Sequence, residues 1–137
     1  MPTTEQTVAA LYDSWRKGDL DAVMGMLADD VEWTIHIPPS INPVGGTVRG
    51  RAAVAERFDE IVRDYEILDF RNGDILTNGD EAAARVGMHY RHRPSEQVLE
   101  TISMHHWKLD DGRVTLIEEF HDIDKMHAFG RRCGFCE

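Results

Sequence analysis

Basic residues and long apolar runs are scarce in this sequence, and each scarcity excludes a class of protein. The 15 basic residues stand against 25 acidic ones, and the resulting net charge of -10 opposes binding to phosphate backbones and anionic bilayers. No run approaches the roughly 20 apolar residues of a membrane span, and the polar first residues do not resemble a signal peptide. We therefore expect no nucleic-acid or membrane partner, and a cytoplasmic location by default.

Cysteine is equally scarce. Cys133 and Cys136 form one C-x-x-C pair in the terminal sequence RRCGFCE. A redox pair prefers a helix N-terminus within a βαβ unit, and a zinc site needs two further ligands. Because neither context is visible, we interpret residues 130–137 as an exposed tail, since chain ends are usually poorly ordered.

Amphipathic periodicity dominates the first half of the chain. A length of 137 residues with 42% hydrophobic content fits a single domain spanning residues 1–137. Apolar residues spaced three and four apart predict helices at residues 3–17, 20–27 and 51–65. Residues 31–37 are predicted to form a strand. Residues 38–50, with three prolines and three glycines, are predicted to form a loop.

The second half of the chain predicts a sheet. Strands are expected at residues 66–76, 81–93, 97–109 and 113–123, and Asp110-Asp111-Gly112 is a strong hairpin turn between the last two. The order of elements argues for an α+β fold in which three helices cover one face of a curved, mainly antiparallel sheet. Such a cone has an open end, where small-molecule sites are expected.

The last hairpin, SMHHWKLDDGRVTLIEEFHD, concentrates residues with chemical function. Alternate residues of a strand share a face, so His105 and Trp107 lie together on its first strand. Simple apolar alternation favours the face of its second strand with Val114, Leu116 and Phe120 as the buried side, which would turn Glu119 outward. The two faces of that strand consist of Ile117, Glu119 and His121 on one side and Val114, Leu116 and Phe120 on the other.

Three stretches, GDLDAVMGMLADDVEW, VRGRAAVAERF and DGRVTLIEEFHDIDKMHAF, resemble the SnoaL-like branch of the NTF2-like superfamily. This branch is related to ketosteroid isomerases, polyketide cyclases and limonene epoxide hydrolases. The resemblance covers a core of about residues 5–129 and implies a cone-shaped NTF2-like fold. It also implies a homodimer through the convex face of the sheet, with Met104, His106 and Phe120 between subunits.

The same resemblance selects the pocket-facing side of the last strand. It implies that Glu119, His105 and Tyr90 face the pocket, and it places the acid/base pair of the cyclases on His105 and Glu119. An aromatic wall that includes Trp33 and Trp107 suits a flat or cyclic apolar molecule. The residues expected to bind a substrate are Trp33, Ile35, Phe58, Met88, His92, Trp107, Ile117 and His121.

The ketosteroid isomerase residues are missing from this pattern. Those enzymes use a tyrosine on the first helix, an aspartic acid on the penultimate strand and an aspartate after the first strand. These places fall near Leu11, His105 and Ile35. Tyr12 and His36 are displaced neighbours of two of them.

The residues that epoxide hydrolases and cyclases of the family require are matched to different degrees in this chain. The family's epoxide hydrolases need an Arg and an Asp two apart on a central strand, where this chain has Val86 and Met88. The SnoaL-type cyclases use a penultimate-strand His and a last-strand Asp in acid/base roles. His105 and Glu119 resemble that pair most closely, with Glu in place of Asp.

Independently of any family, a glutamate that faces an apolar cavity has its pKa raised by desolvation unless a cation compensates. Our first hypothesis is therefore an enzyme in which Glu119 removes or relays a proton next to a carbonyl, while His105 or Tyr90 stabilises the negative charge. The alternatives are a noncatalytic ligand-binding or dimerisation module and an epoxide hydrolase. Seven histidines raise the question of a metal, but no ligand set of the required geometry is evident, so we expect neither metal nor cofactor.

Overall fold

Helices flank one curved sheet in the computed structural model, which describes residues 2–137. The helices are α1 Thr4–Arg16, α2 Leu20–Gly25, α3 Arg51–Asp64 and α4 Ile123–Cys133. The strands are β1 Leu27–His36, β2 Gly46–Arg49, β3 Tyr65–Asn72, β4 Leu76–Asn78, β5 Glu81–His92, β6 Val98–Asp110 and β7 Arg113–His121. No helix within residues 2–137 is long and apolar enough to cross a membrane.

The first two helices begin at side chains that cap them. Thr3 accepts a hydrogen bond from the backbone N–H of Gln6 at 3.1 Å, and the Gln6 side chain accepts one from the backbone N–H of Thr3 at 2.9 Å. Asp19 caps α2 by accepting from the backbone of Ala22. The second helix is shorter than predicted, because Leu27 leaves it to pair with the sheet.

The sheet has the order β2-β1-β7-β6-β5-β3, and β4 also pairs with β5. Only the β1–β7 pairing is parallel among these strands, so the expectation of a curved, mainly antiparallel sheet in an α+β fold is confirmed. Residues 38–50 are not all loop, since β2 forms within them and pairs with β1. The strand predicted at residues 66–76 ends at Asn72 instead, and β4 starts four residues later.

The β6–β7 hairpin turns where the sequence predicts. Asp111 and Gly112 have positive φ values of 51° and 76°, as a two-residue primed turn requires. Thr115 is then an extra residue on β7, because Val114 pairs with Leu109 whereas Leu116 pairs with Lys108. This bulge changes which side chains of β7 point inward.

The bulge explains which side chains of β7 point to the concave side of the sheet. Val114 is buried before it and Ile117 is buried after it, although an unbroken strand would put these two residues on opposite faces. Glu119 and His121 therefore point to the concave side with Ile117, while Phe120 is 46% exposed on the convex side.

A fourth helix occupies the part of the chain that we interpreted as the end of the core and an exposed tail. Met126 and Phe129 of α4 are buried at 2% and 0% exposure. A Cβ atom added to Gly130 would meet the carbonyl oxygen of Ile41 at 2.4 Å, so α4 packs tightly on the loop before β2. The tail interpretation is wrong for residues 130–133, because burial of the apolar face of α4 holds this end of the chain in place.

Replacing Phe129 with alanine tests this packing. The variant removes a fully buried aromatic ring and should lower the free energy of unfolding by about 3–5 kcal/mol in urea titrations. Ile123→Ala, at a 39% exposed position of the same helix, is the control and should lose under about 1 kcal/mol. Equal losses in the two variants would contradict the buried position of Phe129.

Candidate functional site

A cavity of about 140 Å³ lies between the helices and the concave face of the sheet. Its walls are mainly apolar and aromatic. The side chains predicted to face a pocket and found in its lining are Trp33, Ile35, Phe58, Met88, Tyr90, His105, Trp107, Ile117, Glu119 and His121.

His92 does not line this cavity. It is the last residue of β5, and its Nδ1 lies 2.7 Å from the Ser95 hydroxyl in the following turn. Its ring packs against Tyr65 and against Phe135 of the C-terminal segment. The structure thus places His92 outside the lining in which we expected it, because the chain after α4 covers this end of β5.

Glu119 is the polar centre of the cavity. The indole N–H of Trp33 donates to its Oε2 at 2.6 Å, and His121 Nε2 donates to its Oε1 at 3.1 Å. His105 Nε2 lies 3.8 Å from the same Oε1, which is beyond hydrogen-bond distance. Ring nitrogens on three adjacent strands thus surround one carboxylate.

These donors reverse the expected shift of the Glu119 pKa. Burial by itself raises the pKa of this carboxyl, as we expected from desolvation. The hydrogen bond from His121, the charges of the His105 and His121 rings when protonated, and the hydrogen bond from Trp33 outweigh burial and lower the pKa of Glu119 to about 2. The expectation of a raised pKa is therefore wrong, and the side chain is ionised at neutral pH.

His105 is buried next to this carboxylate. Burial lowers the pKa of His105, and the charge of Glu119 only partly offsets that effect, so the imidazole is neutral at neutral pH. Its Nδ1 lies 2.9 Å from the hydroxyl of Tyr12, and that hydroxyl accepts a hydrogen bond from the Trp107 indole N–H at 3.0 Å. Its Nε2 has no partner among the described residues.

Tyr90 adds a second hydroxyl to the lining. Its ring meets Tyr65 and Phe129 edge-on at centroid distances of 5.3 and 5.8 Å. Burial raises the pKa of the Tyr90 hydroxyl far above its ordinary value, so this group stays protonated and can donate a hydrogen bond.

Tyr12 and Arg57 are polar residues of the site region that we did not predict. Tyr12 belongs to the apolar stripe of α1, which predicts a buried core residue. Its position next to the place of the ketosteroid isomerase tyrosine was the indication in the sequence that it could belong to the site. The Arg57 guanidinium donates to the backbone oxygens of Trp33 and Gly46, both at 3.0 Å, and lies over the Trp33 ring. Arginine on a helix is usually exposed, so the sequence around Arg57 did not predict that its side chain is buried.

A metal site is not evident in this region. Within the part of the chain that the structure describes, no three His, Cys, Asp or Glu side chains are grouped as ligands for one ion. The free thiols of Cys133 and Cys136 are half-buried near the end of α4. The cavity itself is lined by carboxylate, imidazole and hydroxyl groups.

The sequence matches the profile of the SnoaL-like domain over residues 8–117. The chain belongs to this family. A search of curated proteins gave no match to the SnoaL-like chain. Solved structures with its fold include an NTF2-like protein of Burkholderia xenovorans LB400, which is 23% identical with a TM-score of 0.82, over 95% of this chain and 98% of that one.

Two further solved structures carry functional names. One is a proposed polyketide cyclase of Pseudomonas putida KT2440, with 19% identity, a TM-score of 0.78, and coverage of 93% of this chain and 98% of that one. The other is a proposed isomerase of Rhodopseudomonas palustris, with 18% identity, a TM-score of 0.77, and coverage of 90% and 92%. At these identities the similarity establishes the NTF2-like fold of the SnoaL-like chain and not its reaction.

The lowered pKa of Glu119 makes stability depend on pH in the acid range. A carboxyl with a lower pKa in the folded than in the unfolded state stabilises the fold above its unfolded pKa, and this contribution is lost as the pH falls through the folded pKa. For Glu119 that window runs from about pH 4.5 down to about pH 2. We expect Glu119→Gln to be less stable than wild type at pH 7 and to converge with it across that window in urea titrations.

The control for this titration is Glu100→Gln, which removes the same charge at an exposed position of β6. Its free energy of unfolding should follow that of wild type across the window. A Glu119→Gln deficit that stays constant from pH 7 to pH 2 would show that the carboxyl has no lowered pKa.

Proposed function

We propose that this SnoaL-like protein is a small-molecule enzyme of isomerase or cyclase type, which applies general acid/base chemistry to a carbonyl or polyketide-like substrate without a cofactor. One observation carries the proposal, namely an ionised Glu119 beside a neutral His105 in a cavity with apolar walls. Burial alone makes a charged carboxylate costly, so the hydrogen bonds that keep Glu119 ionised in an apolar cavity mark it as a functional candidate.

Glu119 acts in this proposal as the proton acceptor. Its pKa is low, so it is a weak base, and the C–H bond it attacks must be acidified by two flanking carbonyls, as in a polyketide-like chain. The carboxylate takes that proton and leaves an enolate. The enolate oxygen accepts hydrogen bonds from His105 or Tyr90, which stabilise the developing charge.

The fate of the enolate separates the two reaction types. In an isomerase, the Glu119 carboxyl returns its proton to a different carbon of the same molecule. In a cyclase, the enolate carbon attacks a second carbonyl, and the new alkoxide takes the proton. The apolar walls favour either outcome over hydrolysis, because they keep water from the reacting atoms.

The aromatic side chains support a cyclic, hydrophobic ligand for this pocket. Trp33 and Phe58 pack at a centroid distance of 4.7 Å, and Trp107 meets Tyr12 edge-on at 5.4 Å. Flat rings of a substrate can stack on such surfaces. A proposed polyketide cyclase and a proposed isomerase share this fold, and both names are consistent with a ligand of this kind.

A second candidate is a noncatalytic module that binds the same type of ligand. The low pKa of Glu119 favours it, because the same donors that keep the carboxylate ionised also weaken it as a base. Nothing favours epoxide hydrolysis to the same degree. The places of the required Arg and Asp hold the apolar side chains of Val86 and Met88.

Exchange of substrate protons tests the enzyme against the binding module. Wild-type protein in deuterated buffer should accelerate deuterium uptake between the carbonyls of apolar cyclic β-diketones or β-keto esters, followed by NMR. Glu119→Gln and His105→Ala should each lower kcat/KM for this exchange by about 10²–10⁴-fold, since each removes a group that acts on the proton or the enolate.

Glu118→Gln is the matched control, because it is the adjacent residue of β7 and its side chain contacts His36 and His106 outside the cavity. Its kcat/KM should stay within about twofold of wild type. Near-normal kcat/KM in both cavity variants would rule out the assigned roles. Tight ligand binding without any acceleration by wild type would favour the noncatalytic module.

We also propose that the protein forms a homodimer through the convex face of its sheet. Ile102, Met104 and Phe120 are 47%, 46% and 46% exposed on this face. Met104 and Phe120 are cross-strand partners, so their side chains form one apolar patch. A contiguous patch of this kind is typical of a protein–protein interface.

Mass measurement in solution tests the dimer. We expect twice the mass of one chain for wild type and a single-chain mass for Met104→Asp, because an acidic side chain buried at the interface would lack a partner. Val62→Asp, which changes a 49% exposed residue of α3, should remain dimeric. A monomeric wild-type protein would contradict the proposal.

A further inference from the structure

The hydroxyl of Tyr12 lies between two ring nitrogens at the inner side of the cavity. Trp107 Nε1 is 3.0 Å away and His105 Nδ1 is 2.9 Å away. Tyr12 itself is only 2% exposed. The three side chains come from α1 and β6 and form one continuous hydrogen-bonded chain.

The direction of each hydrogen bond in this chain follows from the donors available. An indole N–H can only donate, so the Tyr12 oxygen accepts from Trp107. Burial raises the pKa of Tyr12 far above its ordinary value, so its hydroxyl keeps its proton. Among the described residues, His105 Nδ1 is the acceptor that this proton can reach.

The opposite side of the imidazole agrees with this assignment. A neutral imidazole that accepts at Nδ1 carries its proton on Nε2. His105 Nε2 faces the Glu119 carboxylate at 3.8 Å, where an N–H is attracted and a lone pair would be repelled. The other tautomer would leave the Tyr12 proton without an acceptor and direct a lone pair at an anion.

We propose that Tyr12 is a positioning residue that, together with Trp107, holds His105 in the tautomer with its proton on Nε2. The site then presents one N–H donor next to one carboxylate acceptor. This inference deepens the proposed function and rests on it for the nature of the ligand, whereas the tautomer itself depends only on the fold.

A ligand hydroxyl fits this pair of groups. His105 Nε2 is buried without a partner, and an unpaired buried donor costs free energy until something accepts from it. An oxygen about 2.8 Å from both His105 Nε2 and Glu119 Oε1 spans their separation of 3.8 Å. A hydroxyl there accepts from His105 and donates to Glu119.

The same arrangement selects against other ligands. An ether or ester oxygen accepts from His105 but cannot donate to Glu119. A carboxylate places a second negative charge beside Glu119, and no Lys or Arg is among the described residues that line the cavity. The ligand class that satisfies the site is a neutral molecule whose apolar ring carries an enol or phenol hydroxyl.

Nitrogen NMR of protein with ¹⁵N-labelled histidine tests the tautomer without any ligand. In wild type at neutral pH we expect His105 to show a protonated Nε2 and an unprotonated Nδ1. Tyr12→Phe should shift both signals toward a mixture of tautomers, because it removes the donor to Nδ1 and keeps the ring. A protonated Nδ1 in neutral wild-type His105 would overturn the proposal.

Tyr65→Phe is the control for this spectrum. It also removes one buried tyrosine hydroxyl, but that hydroxyl accepts from Asn42 and does not contact His105. The His105 signals should be unchanged in this variant. Equal shifts in both variants would mean that the tautomer responds to general loosening of the core, which would overturn the positioning role.

Binding of three probes, naphthol, methoxynaphthalene and naphthoate, tests the ligand class by calorimetry. We expect wild type to bind naphthol at least about tenfold more tightly than the other two, which corresponds to one charge-assisted hydrogen bond. Tyr12→Phe should lose most of this preference. Equal binding of naphthol and methoxynaphthalene, or tighter binding of naphthoate, would overturn the ligand class.

The experiments separate this inference from the proposed function. The histidine spectrum requires no turnover, so a protonated Nε2 in a protein without exchange activity supports the positioning role and counts against the enzyme. A protonated Nδ1 in a protein that accelerates deuterium exchange would support the enzyme and overturn the positioning role.

Discussion

A buried, ionised carboxylate is the constraint on which the rest of this structure depends. Glu119 can remain charged among apolar walls only if donors reach it; Trp33 on β1 and His121 on β7 donate to it, and His105 on β6 lies 3.8 Å away. The three strands are neighbours in the sheet. The parallel pairing of β1 with β7 sets Ile35 opposite Glu119 and thereby brings the Trp33 side chain within reach. Fold and site are therefore specified by the same strand register.

The elements that could be predicted are those with a strong local pattern. The helices near residues 3–17 and 51–65 and the hairpin at Asp111-Gly112 follow from apolar spacing and turn chemistry, and the structure confirms them. The bulge at Thr115 could not be predicted in the same way, because one extra residue leaves composition and β-propensity unchanged. The helix α4 was missed because its buried face depends on the loop around Ile41, which is distant in sequence.

The residues of the site could largely be predicted from the sequence, but their protonation states and hydrogen bonds could not. The family resemblance selected side chains that meet in one cavity, with His92 as the exception. The direction of the Glu119 pKa shift could not be predicted from the sequence. Apolar residues near Glu119 in the sequence indicate desolvation, but the sequence does not show which N–H groups point at the carboxylate. Tyr12 was read as core for a similar reason. Its ring does pack as a core residue, and only its hydroxyl serves the site.

The extra residue at Thr115 has a consequence for comparing this chain with its relatives. Side chains of a strand alternate, so one residue more or fewer between Arg113 and Leu116 exchanges the set that faces the cavity for the set that faces outward. Two homologues with nearly the same residues on this strand can then enclose different chemistry. Alignments of the family therefore need to be anchored on the paired residues of β6 and β7, because matching letters along β7 alone would misplace Glu119 wherever a relative lacks the extra residue.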